Sequence, residues 1–305
     1  MNDAVSLVDE TVKNLRGAGF GAVREFVSRS YLRYARTLDA DDMFAEEWDM
    51  LVVLDACRAD LWAETAGDFG YPTDETRVSP GGTSTEWLDA TFGPRSPDEL
   101  ADVGYVTANP YSTSHVDHDA FAFVEEVWRD GWDDDVGTTP PRRVTAAAVQ
   151  AARTHDADRL VVHYMQPHFP SLADDRDDGI ALDDFGEESL SVWEDLRFGN
   201  RTVEDVWDAY RRNLEIVLED VDLLRSNVDA ERTVITADHG NAVGEKGLYG
   251  HAAGIALPEL RTVPWAVTTA TDEGEYDPVA AGDLVESDES VDADVASRLE
   301  QLGYR

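Results

Sequence analysis

One cysteine occurs in 305 residues, Cys57, so no internal disulfide framework can hold the fold. Lysine is almost as scarce. Lys13 and Lys246 are the only two, and every other basic side chain apart from the histidines is arginine. No run of about 18 apolar residues occurs, which excludes an ordinary transmembrane helix. The first residues also lack the compact apolar stretch and cleavage site of a secretory signal. From these absences we expect a soluble, cytoplasmic chain.

What the sequence has in excess is acid. Asp and Glu number 64 against 25 Lys and Arg, a formal net charge of −39. The acid is dispersed, as in "LDADDMFAEEWD", "GWDDDVG" and "DDRDDGIALDDFGEES", so it is no disordered tail. An apolar content of 42% suffices for a sizeable core. A carboxylate coat nearly free of lysine reads as adaptation to molar salt, where screening relieves self-repulsion; an extreme halophile is the expected host. Nucleic acid is excluded as a partner, because phosphate binding needs a basic surface.

Residues 11–38 break the acidic rule. Lys13, Arg16, Arg24, Arg29, Arg33 and Arg36 stand there against Glu25 alone, among apolar residues at roughly helical spacing. The preferred reading is a helix packed on the acidic body. The other is peripheral contact with an anionic membrane surface or a phosphate-rich substrate. The expected organisation is a basic helical segment over residues 1–45 and one catalytic domain over 46–305.

Five strands are predicted, at Met50–Leu54, Val103–Thr107, Leu160–Tyr164, Thr233–Ala237 and Val263–Val267. Most are near-continuous apolar runs, the pattern of a parallel sheet covered on both faces. A long amphipathic helix carries Val203, Val206, Trp207, Tyr210, Leu214, Val217, Leu218, Val221 and Leu224 on one face, with Thr202 and Asp205 as its capping box. Alternating strands and helices predict one α/β domain. In such sheets the chemistry lies beyond the carboxyl ends of the strands. Residues 173–199 are too acidic for core and read as a loop or lid beside the site.

Three strand ends carry polar residues that can converge. Asp55 ends "LVVLD", His163 and His168 lie in "RLVVHYMQPHFP", and Asp238-His239-Gly240 follows "TVITA". Between the first two, "SPGGTSTEW" is a glycine-led turn entering a helix, with Thr83, Ser84 and Thr85 at its mouth. A hydroxyl there sits among free backbone N–H groups, a good place for a phosphate or sulfate.

With these residues in view, the sequence resembles the alkaline phosphatase superfamily, particularly its sulfatase and lipoteichoic-acid-synthase branches. "VVLDACRAD" looks like the opening sulfatase strand, and "GGTSTEW" is similar to the nucleophile segment of lipoteichoic-acid synthases. "HYMQPHFP", "TADHGNAVGEKGLYGH" with "LRTVPW", and the chain end "VASRLEQLGYR" extend the resemblance over most of the chain. It implies a three-layer α/β/α alkaline-phosphatase-like fold with a mostly parallel sheet. It further implies Asp55, Asp238 and His239 as metal ligands, Thr83 as nucleophile, and His168 facing the transferred group. By its chemistry, Thr83 would also complete a four-ligand site.

The chemistry is coherent. One divalent cation, manganese, magnesium, zinc or calcium, would lower the hydroxyl's pKa and polarise a phosphoryl oxygen. His168, His251 or Arg58 would stabilise developing charge. Several bland readings compete. Thr83 with Glu86 also fits a helix cap, leaving Ser84 or Thr85 as nucleophile; His163 reads as a core histidine, and Arg58 reads as a partner of Asp60. Cys57 lacks the sulfatase cysteine pattern, which argues against a formylglycine enzyme. Asp55 is followed by Ala56 instead of a second aspartate, and "HVDHD" is a poor second-metal unit, so one metal is expected.

The expected function is therefore a metal-dependent hydrolase or phosphotransferase acting on phosphate esters through a covalent threonine intermediate. The alternative is a sulfatase using an unmodified hydroxyl. A reading of another class is a catalytically idle scaffold of the same fold.

Overall fold

The structure, a computed structural model, describes residues 27–33, 38–173 and 192–284. Ten strands occur among them: β1 (Met50–Leu54), β2 (Thr76–Val78), β3 (Val103–Thr107), β4 (Phe123–Glu126), β5 (Arg159–Tyr164), β6 (Ala230–Thr236), β7 (Ala242–Val243), β8 (Tyr249–Gly250), β9 (Thr262–Pro264) and β10 (Ala266–Ala270). Six form one sheet in the order β10-β6-β1-β5-β3-β4. All neighbours are parallel except β10, which runs antiparallel to β6. β1 is central and wholly buried; Val52 lies between Val162 on one side and Ile235 on the other.

Consecutive side chains leave a strand on opposite faces, and β5 shows what covers each. Tyr164 points to the Pro141–Thr154 helix, its hydroxyl 2.8 Å from Thr145 Oγ1. His163 points the other way, against Trp87 of the Ser84–Thr91 helix, with ring centroids 5.4 Å apart. Helices therefore cover both faces, giving the three-layer α/β/α architecture. The Val203–Arg225 helix packs beside Pro141–Thr154 and has the predicted capping box, Thr202 with Asp205. Its apolar face is buried from Val206 to Leu224, while Val203, in the first turn, is 50% exposed.

Four of the predicted strands correspond to β1, β3, β5 and β6. The fifth is two strands. β9 ends at Pro264, which has no N–H to continue a ladder, and pairs with β2 in a separate sheet. Trp265 bridges to β10, its N–H bonded to the Glu75 carbonyl. β4 was not predicted, because "FVEE" is half-buried at the sheet edge and carries no apolar run.

Residues 192–198 correct the loop reading of 173–199. Val192–Phe198 is a helix burying Val192, Trp193 and Leu196, a stripe that the surrounding acid hides in the sequence. Residues 174–191 and 285–305 lie outside the described residues. So does most of the basic segment, residues 1–26 and 34–37. Residues 27–33 are helical, and Leu32 packs with Ala242, Leu248, Ile255, Leu257 and Leu260. Among the described residues no helix is long and apolar enough to cross a membrane.

Candidate metal centre at the carboxyl edge of the sheet

β1 and β6 are neighbours, so Asp55 and Asp238 leave adjacent strands at the same edge. The turn after Asp55 is sharp. Ala56 has φ 62°, a left-handed conformation that is uncommon outside glycine. It aims the Ala56 N–H at Asp238 Oδ1, 2.9 Å away, and the His239 N–H reaches the same oxygen at 2.7 Å. Asp238 Oδ1 is thus satisfied by backbone, while Oδ2 has no hydrogen-bond partner. Gly240 completes the turn, since a Cβ there would meet the Glu259 carbonyl oxygen at 2.4 Å.

Asp55 is divided in the same way. Its Oδ2 accepts from Ser84 Oγ at 3.2 Å and Asn109 Nδ2 at 3.1 Å. Its Oδ1 is buried without a partner, 3.6 Å from His239 Nε2. The His239 Nδ1–H donates to the Gly240 carbonyl at 3.0 Å, which leaves Nε2 with a lone pair. That nitrogen lies 3.5 Å from Asp238 Oδ2. Asp55, Asp238 and His239 form the one group of possible metal ligands among the described residues, their donor atoms within 4.8 Å of one another.

Two buried carboxylate oxygens, Asp55 Oδ1 and Asp238 Oδ2, therefore lie beside His239 Nε2 without a hydrogen-bond partner. Such an arrangement is costly for a protein alone. It suits a divalent cation, which takes mixed oxygen and nitrogen donors. Burial raises the Asp55 carboxyl well above the usual range, and the Asp238 charge adds to it. His163 and His168 are pushed down to about 4 by burial, and burial holds His251 well below the usual value. All three are neutral imidazoles at neutral pH.

The hydroxyl at this centre is that of Ser84. Besides Asp55 it approaches His239 Nε2 at 3.4 Å. Thr83 is the residue before the helix, and its Oγ1 accepts the Glu86 N–H at 3.3 Å and lies 3.1 Å from Thr85 Oγ1. Thr83 Oγ1 is thus turned to the helix start, and the hydroxyl brought to Asp55 and His239 is that of Ser84. At a helix start, one residue decides whether a side chain turns back to cap or inward to the sheet edge.

His168 and His251 do come together here. The His251 ring lies 4.6 Å from that of His239 and 5.2 Å from that of His168. The His251 Nδ1–H donates to Asn241 Oδ1 at 2.8 Å, and the His168 Nδ1–H donates to the Phe169 carbonyl. Asn213 of the Val203–Arg225 helix pins the segment through the Pro167 and His168 carbonyls. Arg58 is placed differently from the expectation of a charge-stabilising group. Its guanidinium is spent on Asp60, Glu245 and the Asn241 carbonyl, with Trp207 beneath it. Cys57 is fully buried, its thiol pushed well up by burial. His115 pairs with Asp89, while His118 lies 3.6 Å from Glu126, which Arg129, Ser112 and Thr113 also bind.

No family model matches the chain, and no curated protein matches its sequence. Solved structures do match. The integral membrane lipooligosaccharide phosphoethanolamine transferase A from Neisseria meningitidis aligns at 14% identity over 81% of this chain and 54% of its own, with a TM-score of 0.52. The soluble domain of that transferase aligns at 14% identity over 78% of this chain and 82% of the domain, with a TM-score of 0.51. The chain has the alkaline-phosphatase-like fold. It spans about half the length of the full transferase. Within this alkaline-phosphatase-like fold, Asn109 and His163 were not assigned a functional part from sequence. Asn109 follows β3 and His163 belongs to β5, and only their positions at the sheet edge bring them to the two aspartates.

Proposed function

We propose that the chain is a metal-dependent enzyme that transfers or hydrolyses phosphate esters, with Ser84 as nucleophile. The observation that carries this reading is the position of Ser84 Oγ, between Asp55 and His239 and beside two partnerless carboxylate oxygens. Phosphate is taken as the substrate class because the two similar structures described above are phosphoethanolamine transferases.

Asp55, Asp238 and His239 would hold one divalent cation. When bound, such an ion lowers the pKa of a neighbouring hydroxyl and polarises a phosphoryl oxygen. The chain's own groups do the rest. Asp55 Oδ2 accepts the Ser84 hydrogen bond and orients Oγ, and the hydroxyl proton is released to solvent. Ser84 Oγ attacks phosphorus as the bond to the leaving oxygen breaks; the departing alkoxide takes a proton from solvent, leaving a phosphoserine. His168 and His251 have committed Nδ1 to other oxygens, so Nε2 is the nitrogen left to accept a proton from the incoming water or alcohol.

Intact-mass analysis after brief reaction with a chromogenic phosphate ester, followed by peptide mapping, tests the intermediate. A phosphate adduct on the peptide holding Ser84, absent from Ser84→Ala and present in Thr83→Ala, supports the reading. The reverse pattern would return the role to Thr83. Protein that binds metal but turns over only sulfate esters would favour a sulfatase, and folded protein that binds no metal would favour a scaffold.

A further inference from the structure

We infer that Tyr105 and His163 form a positioning pair that fixes the metal-facing oxygen of Asp238. This rests on the metal reading above. Asp238 Oδ1 is held by two backbone N–H groups, so orientation of the carboxylate falls to whatever meets Oδ2. His163 is fully buried, and its Nε2 lies 3.8 Å from Oδ2. Neither atom has a hydrogen-bond partner.

The tautomer of His163 is assigned from the groups that face its two ring nitrogens. The Asn109 N–H donates to Thr107 Oγ1 at 3.0 Å. Thr107 and Tyr105 share one face of β3. The Tyr105 hydroxyl lies 2.9 Å from His163 Nδ1. With Asp238 Oδ2 facing Nε2, the tautomer that suits both ring nitrogens has the Tyr105 hydroxyl donating to Nδ1 and the imidazole's own proton on Nε2. The opposite tautomer would aim a lone pair at a carboxylate. His163 is thereby the reverse of His239, His168 and His251, each of which donates from Nδ1. Three imidazoles present lone pairs, and the fourth presents a donor to a ligand oxygen.

A gap of 3.8 Å is too long for a hydrogen bond, and a carboxylate shift of about 1 Å closes it. Hydrogen bonds to ligating groups of this kind typically carry 10–100-fold in metal affinity. Asn109 holds the second aspartate from the same strand end, its side chain donating to Asp55 Oδ2 and its N–H to Thr107 Oγ1.

The test is calorimetric titration of chelator-treated full-length protein with Mn²⁺ and with Zn²⁺. His163→Leu is expected to weaken binding about 10- to 100-fold. His163→Gln, whose amide nitrogen falls near the Nε2 position, recovers most of that loss, and His163→Asn does not. This rescue separates a donor at one atom from mere filling of space. Tyr105→Phe, which removes a single oxygen, also weakens binding and decides the matter if the His163 variants do not fold. Folded variants with wild-type affinity overturn the inference alone. Wild-type protein that binds neither ion overturns the metal reading and the inference with it.

Discussion

The Ala56 N–H donates to Asp238 Oδ1 across 2.9 Å, joining the ends of β1 and β6 through a residue held at φ 62°. A left-handed conformation costs a non-glycine residue roughly 1–2 kcal/mol. The hydrogen bond to Asp238 gives this strained turn a use at the candidate centre.

Ala56→Gly therefore relieves strain while retaining the N–H. Thermal unfolding should show stabilisation of about 0.5–1 kcal/mol with metal affinity unchanged. Ala56→Val, branched at Cβ, should lose more than about 1 kcal/mol. Equal stability of all three proteins would contradict the assignment of strain.

Metal binding should weaken as pH falls. The Asp55 carboxyl is raised well above the usual range, and it must lose its proton to ligate. Below that raised pKa, affinity should drop about tenfold per pH unit. The sign reverses without metal. A carboxyl whose folded pKa is raised contributes stability below its unfolded value of about 3.9 and loses that contribution as pH rises through the folded one. The metal-induced gain in Tm should thus grow with pH. A gain that does not vary with pH would count against Asp55 as ligand.

Arg58 should matter for stability more than for chemistry. Its donors bind Asp60, Glu245 and the Asn241 carbonyl, which ties the turn after β1 to the segment carrying Asn241. Arg58→Met should cost about 1–3 kcal/mol by leaving buried acceptors unpaired. Turnover of the folded variant should stay within about tenfold of wild type, a smaller effect than loss of a transition-state contact. A loss of several hundredfold at unchanged stability would restore Arg58 to the reacting group.

Salt should stabilise the chain. With a net charge of −39, self-repulsion weakens as the Debye length falls from about 10 Å at 0.1 M to about 3 Å at 1 M. Tm should rise steadily over that range in potassium chloride. A flat profile would remove salt adaptation as the reason for the acidic surface.

The frame of the protein is legible in its apolar runs. β1, β3, β5 and β6 are buried on both faces, so each is written as a nearly unbroken stretch, and the polar residues that stop those stretches mark the sheet edge. Asp55 and Asp238-His239 stand out for that reason. β4 escapes notice because an edge strand needs no apolar run. The β9–β10 break needs Pro264 and the pairing with β2 to be seen together.

Inside the site, what the residues themselves do not disclose is direction. Thr83 and Ser84 are adjacent hydroxyls, and the extended backbone at Thr83 turns one into a cap and the other toward Asp55. His163 reads as core until the pairing of Thr107 with His163 places Tyr105 behind it. Arg58 could serve a substrate until Glu245, 187 residues further on, is found against it.

The central claim is that Ser84 acts at a metal held by Asp55, Asp238 and His239. The most direct measurement is hydrolysis of p-nitrophenyl phosphate and its bis-ester in molar potassium chloride. It compares chelated and metal-loaded wild type with Ser84→Ala and Thr83→Ala. The account predicts metal-dependent turnover that is abolished in Ser84→Ala and largely kept in Thr83→Ala. Turnover that survives Ser84→Ala, or that persists in chelator, would contradict it.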